Sequence, residues 1–154
     1  MREQTIENQP LALVAESNNS LRRLISTILR HQGFSVVEAR TAEEAGELFT
    51  DSPDPIGLLL ADYDIAENAG GLKLALQLQK RFSGLHALLF GTFAPSETEL
   101  VLIRQSGMDF LSLPFSFGRL SQTLERMRAK IVPGGLLTLK LEVPRPLEPS
   151  GSRC

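Results

Sequence analysis

Short apolar runs alternate along this chain with segments whose apolar residues recur every three or four positions. The run Leu11–Ala15 is the first, and in the segment after it Leu21, Ile25 and Ile28 lie on one apolar stripe. A continuous apolar run is typical of a strand buried on both faces, and the stripe is typical of an amphipathic helix. Five such pairs follow one another between residues 10 and 131. They predict an α/β fold with a parallel five-stranded sheet and helices on both faces.

Helix-capping residues mark where several of these elements begin. A Ser or Thr followed three positions later by Glu is a capping box, and this pattern occurs at residues 41–44 and 96–99. One of Asn18, Asn19 and Ser20 is expected to cap the first helix. The predicted strands are residues 11–15, 34–38, 56–61, 85–90 and 110–113, and the predicted third helix is residues 71–82.

The third strand is the most informative element. Residues 56–61 contain no charge and no turn signal, so this strand is predicted to be buried on both faces. The run stops at Asp62, which places a carboxylate at the carboxyl end of the strand. In open parallel α/β sheets, ligands bind outside these strand ends. Asp62 is therefore the first candidate for chemistry.

Composition and charge exclude several other classes of protein. The 154 residues are 42% hydrophobic and 22% charged, which is typical of a globular domain rather than a disordered chain. The net charge of −2 gives no basic footprint, so no nucleic-acid partner is expected. No signal peptide and no stretch of membrane-spanning length is recognised, so a cytoplasmic location without membrane contact is predicted. The only cysteine is Cys154, so neither an internal disulfide nor a cysteine metal cluster is expected.

The patterns divide the chain into an N-terminal segment, a domain and a tail, at residues 1–9, 10–131 and 132–154. In the tail, every second residue from 137 to 143 is Leu or Val and the residues between them are polar. This period is typical of an amphipathic strand, predicted at 136–143. Such a strand could add to an exposed sheet edge of this chain or of a partner. An unstructured tail is the alternative of equal weight.

Several segments together resemble the receiver domain of two-component response regulators, over about residues 10–131. The matching segments are LVAES (13–17) and LRR (21–23) in the first strand and helix, LLLAD (58–62), GLKL (71–74) and GMDFLSLPF (107–115). Their order and spacing are more specific for the fold than for the activity. The resemblance implies a flavodoxin-like, doubly wound sheet in the order 2-1-3-4-5. It also implies a signalling module that is not an enzyme.

The resemblance assigns the candidate site residues. Asp62 takes the position of the phosphoacceptor aspartate, and Glu16 takes the first position of the acidic pair that holds Mg²⁺. Asp64 lies where the family offers a backbone carbonyl to the metal, and its side chain is better explained as a solvated loop acid. The family's reaction is phosphoryl transfer to the aspartate from a histidine kinase or a phosphotransfer protein. This chemistry depends on positioning and on charge neutralisation.

Two departures from the family pattern weaken this site. Ser17 takes the second acidic position, and because a neutral hydroxyl is a poor Mg²⁺ ligand, metal binding is predicted to be weak or absent. Leu113 takes the position of the lysine that binds the phosphoryl oxygens. A charge-assisted hydrogen bond is worth about 1.5–3 kcal/mol, so its loss weakens the phosphorylated state roughly ten- to hundredfold. The Leu113–Pro114 peptide bond is expected to be cis, as is frequent in the family.

The switch residues are less well defined. Thr92 fits the position of the family's switch Ser or Thr by its distance from Gly107, whereas Gly91 or Phe90 fits by distance from the third strand. Phe110 takes the position of the aromatic switch residue on the fifth strand. A plain core phenylalanine is the equally weighted alternative for Phe110.

Three functions stay open at this point. The first is a receiver module of a phosphorelay, phosphorylated on Asp62 by a histidine kinase or phosphotransfer protein. The second is a pseudo-receiver that docks its partners without phosphorylation, which the missing acid and lysine favour. The third and most remote is a small flavodoxin-like cofactor-binding protein, which no phosphate-binding loop supports. Output would pass to a downstream protein through the face formed by the fourth helix, fifth strand and last helix, and homodimer formation is left open.

Overall fold

The described residues of this computed structural model, 9–50 and 54–131, form alternating strands and helices. The strands are β1 Leu11–Ala15, β2 Ser35–Ala39, β3 Leu58–Asp62, β4 His86–Gly91 and β5 Asp109–Ser112. The helices are α1 Asn19–His31, α2 Ala42–Leu48, α3 Gly70–Arg81, α4 Glu97–Gln105 and α5 Phe117–Lys130. The tail strand predicted at 136–143 lies outside the described residues.

The strands form one parallel sheet in the order β2-β1-β3-β4-β5. β3 is at its centre, where Leu60 is in register with Val14 of β1 and with Leu88 of β4. The predicted α/β class, strand order and flavodoxin-like arrangement are confirmed. The carboxyl ends of β1, β3, β4 and β5 therefore meet along one edge of the sheet, which is where Asp62 lies.

The ends of the elements differ from the prediction by one or two residues. β3 begins at Leu58 rather than at residue 56, and it includes Asp62. Ile56 is buried all the same, and the next residue, Gly57, donates its N–H to the Leu11 carbonyl at 2.8 Å. The buried segment therefore begins before the hydrogen-bonded strand does. An apolar run in the sequence indicates which residues are buried, not which residues pair in the sheet.

The helix caps follow the predicted residues, with one difference. Asn18 caps α1 by accepting the Leu21 N–H at 2.9 Å, and residues 96–99 form a complete capping box at α4. At α2 the Thr41 hydroxyl accepts the Glu44 N–H, but the Glu44 carboxylate accepts from the backbone of Arg40 instead of Thr41. The second half of this predicted capping box is therefore wrong. The side chain reaches one residue further back.

Side chains alternate between two apolar clusters, one on each face of the sheet. The α1/α5 cluster lies under helices α1 and α5; its strand residues include Leu58 and Leu60 of β3, Phe90 of β4 and Leu111 of β5. The α2–α4 cluster lies under the other three helices; its residues include Leu59, Ala61 and Tyr63, with Phe110 packed against it. This alternation fixes the face on which each candidate site residue lies.

None of the helices within residues 9–50 and 54–131 is both long enough and apolar enough to span a bilayer.

Candidate functional site

Asp62 ends β3 and is partly exposed at the carboxyl edge of the sheet. It lies two residues beyond Leu60, so it faces the side of the α1/α5 cluster. Its Oδ1 accepts the Asp64 N–H at 3.1 Å. Burial raises the pKa of the Asp62 carboxyl above its ordinary value, although the Asp64 N–H opposes this shift. Asp62 is thus a partly desolvated carboxylate, and one of its oxygens already accepts a backbone hydrogen bond.

Glu16 follows directly after β1 and is only 5% exposed. Its backbone N–H donates to the Ala39 carbonyl at 3.0 Å, and its Oε2 accepts the Asn18 N–H at 2.8 Å. Burial is the main cause that raises the pKa of Glu16, and the negative charge of Asp62 raises it further. The structure therefore brings the two predicted acids together, because β1 and β3 are neighbours in the sheet.

Arg22 is a buried charged residue of the site that the sequence reasoning missed. Its Nε lies 2.9 Å from Glu38 Oε1, and its Nη1 donates to the Glu16 carbonyl at 2.9 Å. Its Nη2 donates to Asn19 Oδ1 at 2.7 Å. The guanidinium therefore ties α1 to β2 and holds the backbone of an acidic site residue. A signal was present in the sequence, since Arg22 precedes Ile25 by three positions and so lies on the apolar face of the helix.

The oxygen atoms near Asp62 are of the kind that binds Mg²⁺, but few of them belong to carboxylates. The Glu16 and Asp62 carboxylates and the Asp64 carbonyl are hard oxygen donors, and Mg²⁺ is commonly held by one or two carboxylates with water. Ser17 is exposed and neutral, and the Asp64 carbonyl already accepts the Glu67 N–H at 2.8 Å. Within the described part of the chain, no group of three or more acids, histidines or cysteines is arranged to hold a metal.

The loop after Asp62 has an uncommon backbone. Residues 66–69 are not glycine, yet all four have φ between 51° and 62°. This left-handed conformation costs roughly 1–2 kcal/mol for each residue that carries a Cβ. A Cβ at Gly71 would overlap the Asp62 carbonyl oxygen, so this glycine allows α3 to begin directly against the β3 end. Of these features of the loop, the sequence indicated only Gly71, at the start of α3.

The two positions expected to contact a phosphoryl group differ in their surroundings. Leu113, expected from the resemblance to take the place of the family's lysine, packs against the α1/α5 cluster on the face of Asp62. The Leu113–Pro114 peptide bond is cis, as expected. Thr92 follows β4 and is exposed, while Phe90 is buried in the α1/α5 cluster. Gly91 faces the opposite cluster, where an added Cβ would lie 3.6 Å from the Tyr63 Cβ.

Phe110 also faces the α2–α4 cluster and is partly buried. Its ring meets the ring of Tyr63 edge to face, with 6.0 Å between centroids and 89° between planes. Tyr63 is 5% exposed, and burial together with Glu99 of α4 raises its pKa above the ordinary value of 10.0. Phe110 therefore lies on the other face of the sheet from Asp62. The sequence reasoning did not single out Tyr63, because nothing local shows which distant ring it contacts.

The family model for the response regulator receiver domain matches residues 12–125. Over 111 residues the chain is 25% identical to the response regulator protein PilR of Pseudomonas aeruginosa, covering 72% of this chain and 24% of that protein. Over 115 residues it is 26% identical to the regulatory protein AtoC of Escherichia coli, covering 74% of this chain and 24% of that protein. The chain spans about a quarter of the length of these curated relatives.

Solved structures have the same fold. A response regulator receiver protein from Pseudomonas putida is 26% identical, with a TM-score of 0.63 over 77% of this chain and 97% of that one. The non-phosphorylated HemR receiver domain from Leptospira biflexa is 21% identical, with a TM-score of 0.68 over 91% of this chain and 100% of that one. The likeness extends over nearly the whole of both solved domains.

Proposed function

We propose, from the premise that this chain belongs to the family of response regulator receiver domains of two-component signalling, that it accepts a phosphoryl group on Asp62. The donor would be a histidine kinase or a phosphotransfer protein. The observation that carries the proposal is the placement of Asp62 at the carboxyl end of the central strand, partly desolvated and close to Glu16. Ligands bind at this edge in open parallel sheets.

The groups around Asp62 would each have a different role in the phosphoryl transfer. Oδ1 accepts the Asp64 N–H, so Oδ2 is the oxygen that would attack phosphorus as the bond to the donor's histidine nitrogen breaks. Mg²⁺, when held by Glu16, Asp62 and the Asp64 carbonyl, would neutralise charge on the phosphoryl oxygens. Thr92 is the candidate switch hydroxyl, since strand alternation continued past Gly91 would direct it to the face of Asp62.

A second function, phosphorylation-independent docking, is favoured by Leu113. Its side chain packs in the α1/α5 cluster and cannot donate a hydrogen bond to a phosphoryl oxygen. Ser17 removes a carboxylate from the same site. A receiver with these two residues would keep its fold and its surfaces whether or not Asp62 were modified.

Output by protein contact is supported by the surface at helices α4 and α5. Here, and in the loop before α4, lie exposed apolar residues: Phe93, Val101, Leu102 and Phe117. Exposed apolar surface is typical of protein interaction sites, and these residues are candidates for one. We propose that a downstream protein binds the α4-β5-α5 face. Homodimer formation and a cytoplasmic location remain predictions from the sequence.

The test is modification of Asp62 by small phosphodonors. The chain is incubated with acetyl phosphate, or with beryllofluoride as a phosphoryl mimic, with and without Mg²⁺. Intact mass and amide NMR shifts are recorded for the wild type, for Asp62→Asn, and for Asp64→Asn as a matched control. A Mg²⁺-dependent adduct that only Asp62→Asn abolishes supports phosphorylation. No adduct and no shifts at saturating Mg²⁺ would reject it in favour of docking alone.

A further inference from the structure

Strand β2 is an edge of the sheet, and its outer side has no strand partner among residues 9–50 and 54–131. Ser35 donates its N–H to the Pro10 carbonyl at 2.9 Å, so strand alternation directs the N–H groups of Val36 and Glu38 outward. Four of the five β2 residues are only partly buried, whereas four of the five β1 residues are buried. An open edge of this kind can accept one more strand.

The last turn of α5 brings the chain close to the start of β2. The Arg128 guanidinium lies over the Phe34 ring, 5.6 Å from its centroid, and Phe34 directly precedes β2. Ile131 is 6% exposed, and a Cβ added at Gly57, just before β3, would come within 2.9 Å of its side chain. The chain therefore leaves α5 at the amino edge of the sheet, where a strand parallel to β2 has to begin.

The chain after Ile131 is long enough to reach the outer side of β2. Neighbouring strands are about 4.8 Å apart, so a strand beyond β2 would lie about 14 Å from β3. The five steps from Ile131 to Leu136 span up to about 17 Å when extended. They include Gly134 and Gly135, which adopt turn conformations readily.

The handedness of the connection selects this edge over the edge at β5. The connection from β1 through α1 to β2 passes over the side of the α1/α5 cluster, and α5 lies on that same side. A parallel strand beyond β2 would be reached from β5 in the same direction, and therefore with the same right hand. A parallel strand beyond β5 would need a left-handed crossover, which is very rare.

The two sides of the β2 edge differ in polarity, and so do the two faces of residues 136–143. On the α1 side, Glu38 pairs with buried Arg22 and lies 3.8 Å from exposed Arg30. On the other side, Val37 packs against the α2–α4 cluster. Every second residue from 137 to 143 is Leu or Val, with Thr, Lys and Glu between them. The apolar face therefore matches the side of Val37, and the charged face matches the side of the ion pairs.

We propose that residues 136–143 add to the outer edge of β2 as a sixth, parallel strand of the same sheet. In this arrangement the segment buries its apolar face, and it covers an edge that could otherwise pair with another chain. The proposal does not depend on phosphorylation of Asp62.

The first experiment changes the two faces of the segment separately in the full chain. The test variant combines Leu139→Lys with Leu141→Lys on the apolar face. The control combines Thr138→Lys with Glu142→Gln, which changes the net charge equally on the polar face.

Amide exchange at β2 is then measured by NMR. The outward N–H groups of Val36 and Glu38 should exchange slowly in the wild type and the control, and about tenfold or more faster in the test variant. The Val37 N–H, which alternation directs to β1, should not change. Fast exchange of the outward N–H groups in the wild type, or rates that the test variant leaves unchanged, would overturn the proposal.

A second experiment identifies the edge and the chain. A nitroxide is attached at Lys140→Cys, with Cys154→Ser removing the only natural cysteine. Amide signals of β2 should broaden, and those of β5, about 24 Å from the proposed strand, should broaden far less. Broadening of β5 instead of β2, or of neither, would overturn the proposal. So would broadening of β2 in isotope-labelled chains that lack the nitroxide and are mixed with nitroxide-bearing chains, since the strand would then come from a second copy.

Discussion

Replacing Leu113 by lysine should strengthen the phosphorylated state of this chain. Leu113 follows β5 and packs on the face of the sheet that carries Asp62. Its backbone N–H donates to the Gly91 carbonyl at 2.8 Å, which fixes the direction of this segment. A lysine there would bring an ammonium group to the mouth of the site, where the charge of a phosphoryl group would develop.

The magnitude follows from two opposing effects. A charge-assisted hydrogen bond is worth about 1.5–3 kcal/mol, which is roughly a 10- to 150-fold gain in affinity for a phosphoryl mimic. The lost leucine is only partly buried, so the free energy of unfolding should fall by about 1 kcal/mol. This loss of stability does not reduce the gain in affinity, because it applies equally to the free and the bound protein.

The measurement is a titration of beryllofluoride at fixed Mg²⁺, read by amide shifts near Asp62, with acetyl phosphate labelling as a second readout. Ser112→Lys is the matched control, since Ser112 is exposed and alternation directs it away from the face of Asp62. Leu113→Lys should bind the mimic at least tenfold more tightly than Ser112→Lys does. Equal affinity in the two variants would refute the assignment of Leu113 to the lysine position.

Three further predictions concern the acids and the buried arginine. Ser17→Asp should increase Mg²⁺ affinity about tenfold or more, measured by titration calorimetry, because a third carboxylate joins the oxygen donors; no change would place Ser17 outside the metal site. Arg22→Ala should lower the free energy of unfolding, measured by urea denaturation, by about 2 kcal/mol, because it removes the ion pair with Glu38 and the hydrogen bond to the Glu16 carbonyl. The matched control, Arg23→Ala, changes an exposed residue and should alter the free energy of unfolding by less than about 0.5 kcal/mol. Burial raises the pKa of Asp62, so the folded state binds its proton more tightly than the unfolded state does, and ionisation destabilises the fold. Asp62→Asn should therefore raise Tm at pH 7, and the gain should shrink as the pH falls through the raised pKa of Asp62 and disappear below the ordinary value of 3.8; a gain that is constant with pH would contradict this reasoning.

The sequence predicted the fold because each strand of a covered parallel sheet is a short apolar run, and each helix shows its own period. The central run at 56–61 and the stripe of α1 needed no knowledge of distant residues. The caps at Asn18 and Ser96 are also local signals, and the structure places both where the sequence did. Thr41 shows the limit of such signals, since two backbone N–H groups compete for one Glu44 carboxylate.

The site could be predicted only in part, because much of it depends on contacts between distant segments. Asp62 was found because it ends an apolar strand, and Glu16 was found through the resemblance of residues 13–17 to the receiver family. The bonds of Arg22 to Glu38 and the packing of Tyr63 on Phe110 depend on strand register, which the sequence alone does not fix. The left-handed turn at 66–69 has only Asn68 as a local signal, since alanine and glutamate rarely adopt that conformation.

Because side chains alternate between the two apolar clusters, neighbouring residues at the end of one strand lie on opposite faces of the sheet. Asp62 and Leu113 lie on one face of the sheet, while their close neighbours Tyr63 and Phe110 lie on the other. A step of one residue from Asp62, at the end of β3, thus crosses from the proposed phosphoacceptor to the side of the sheet that faces α4. Substitutions on the face of Asp62 can accumulate without disturbing the packing of the α2–α4 cluster, against which helix α4 packs.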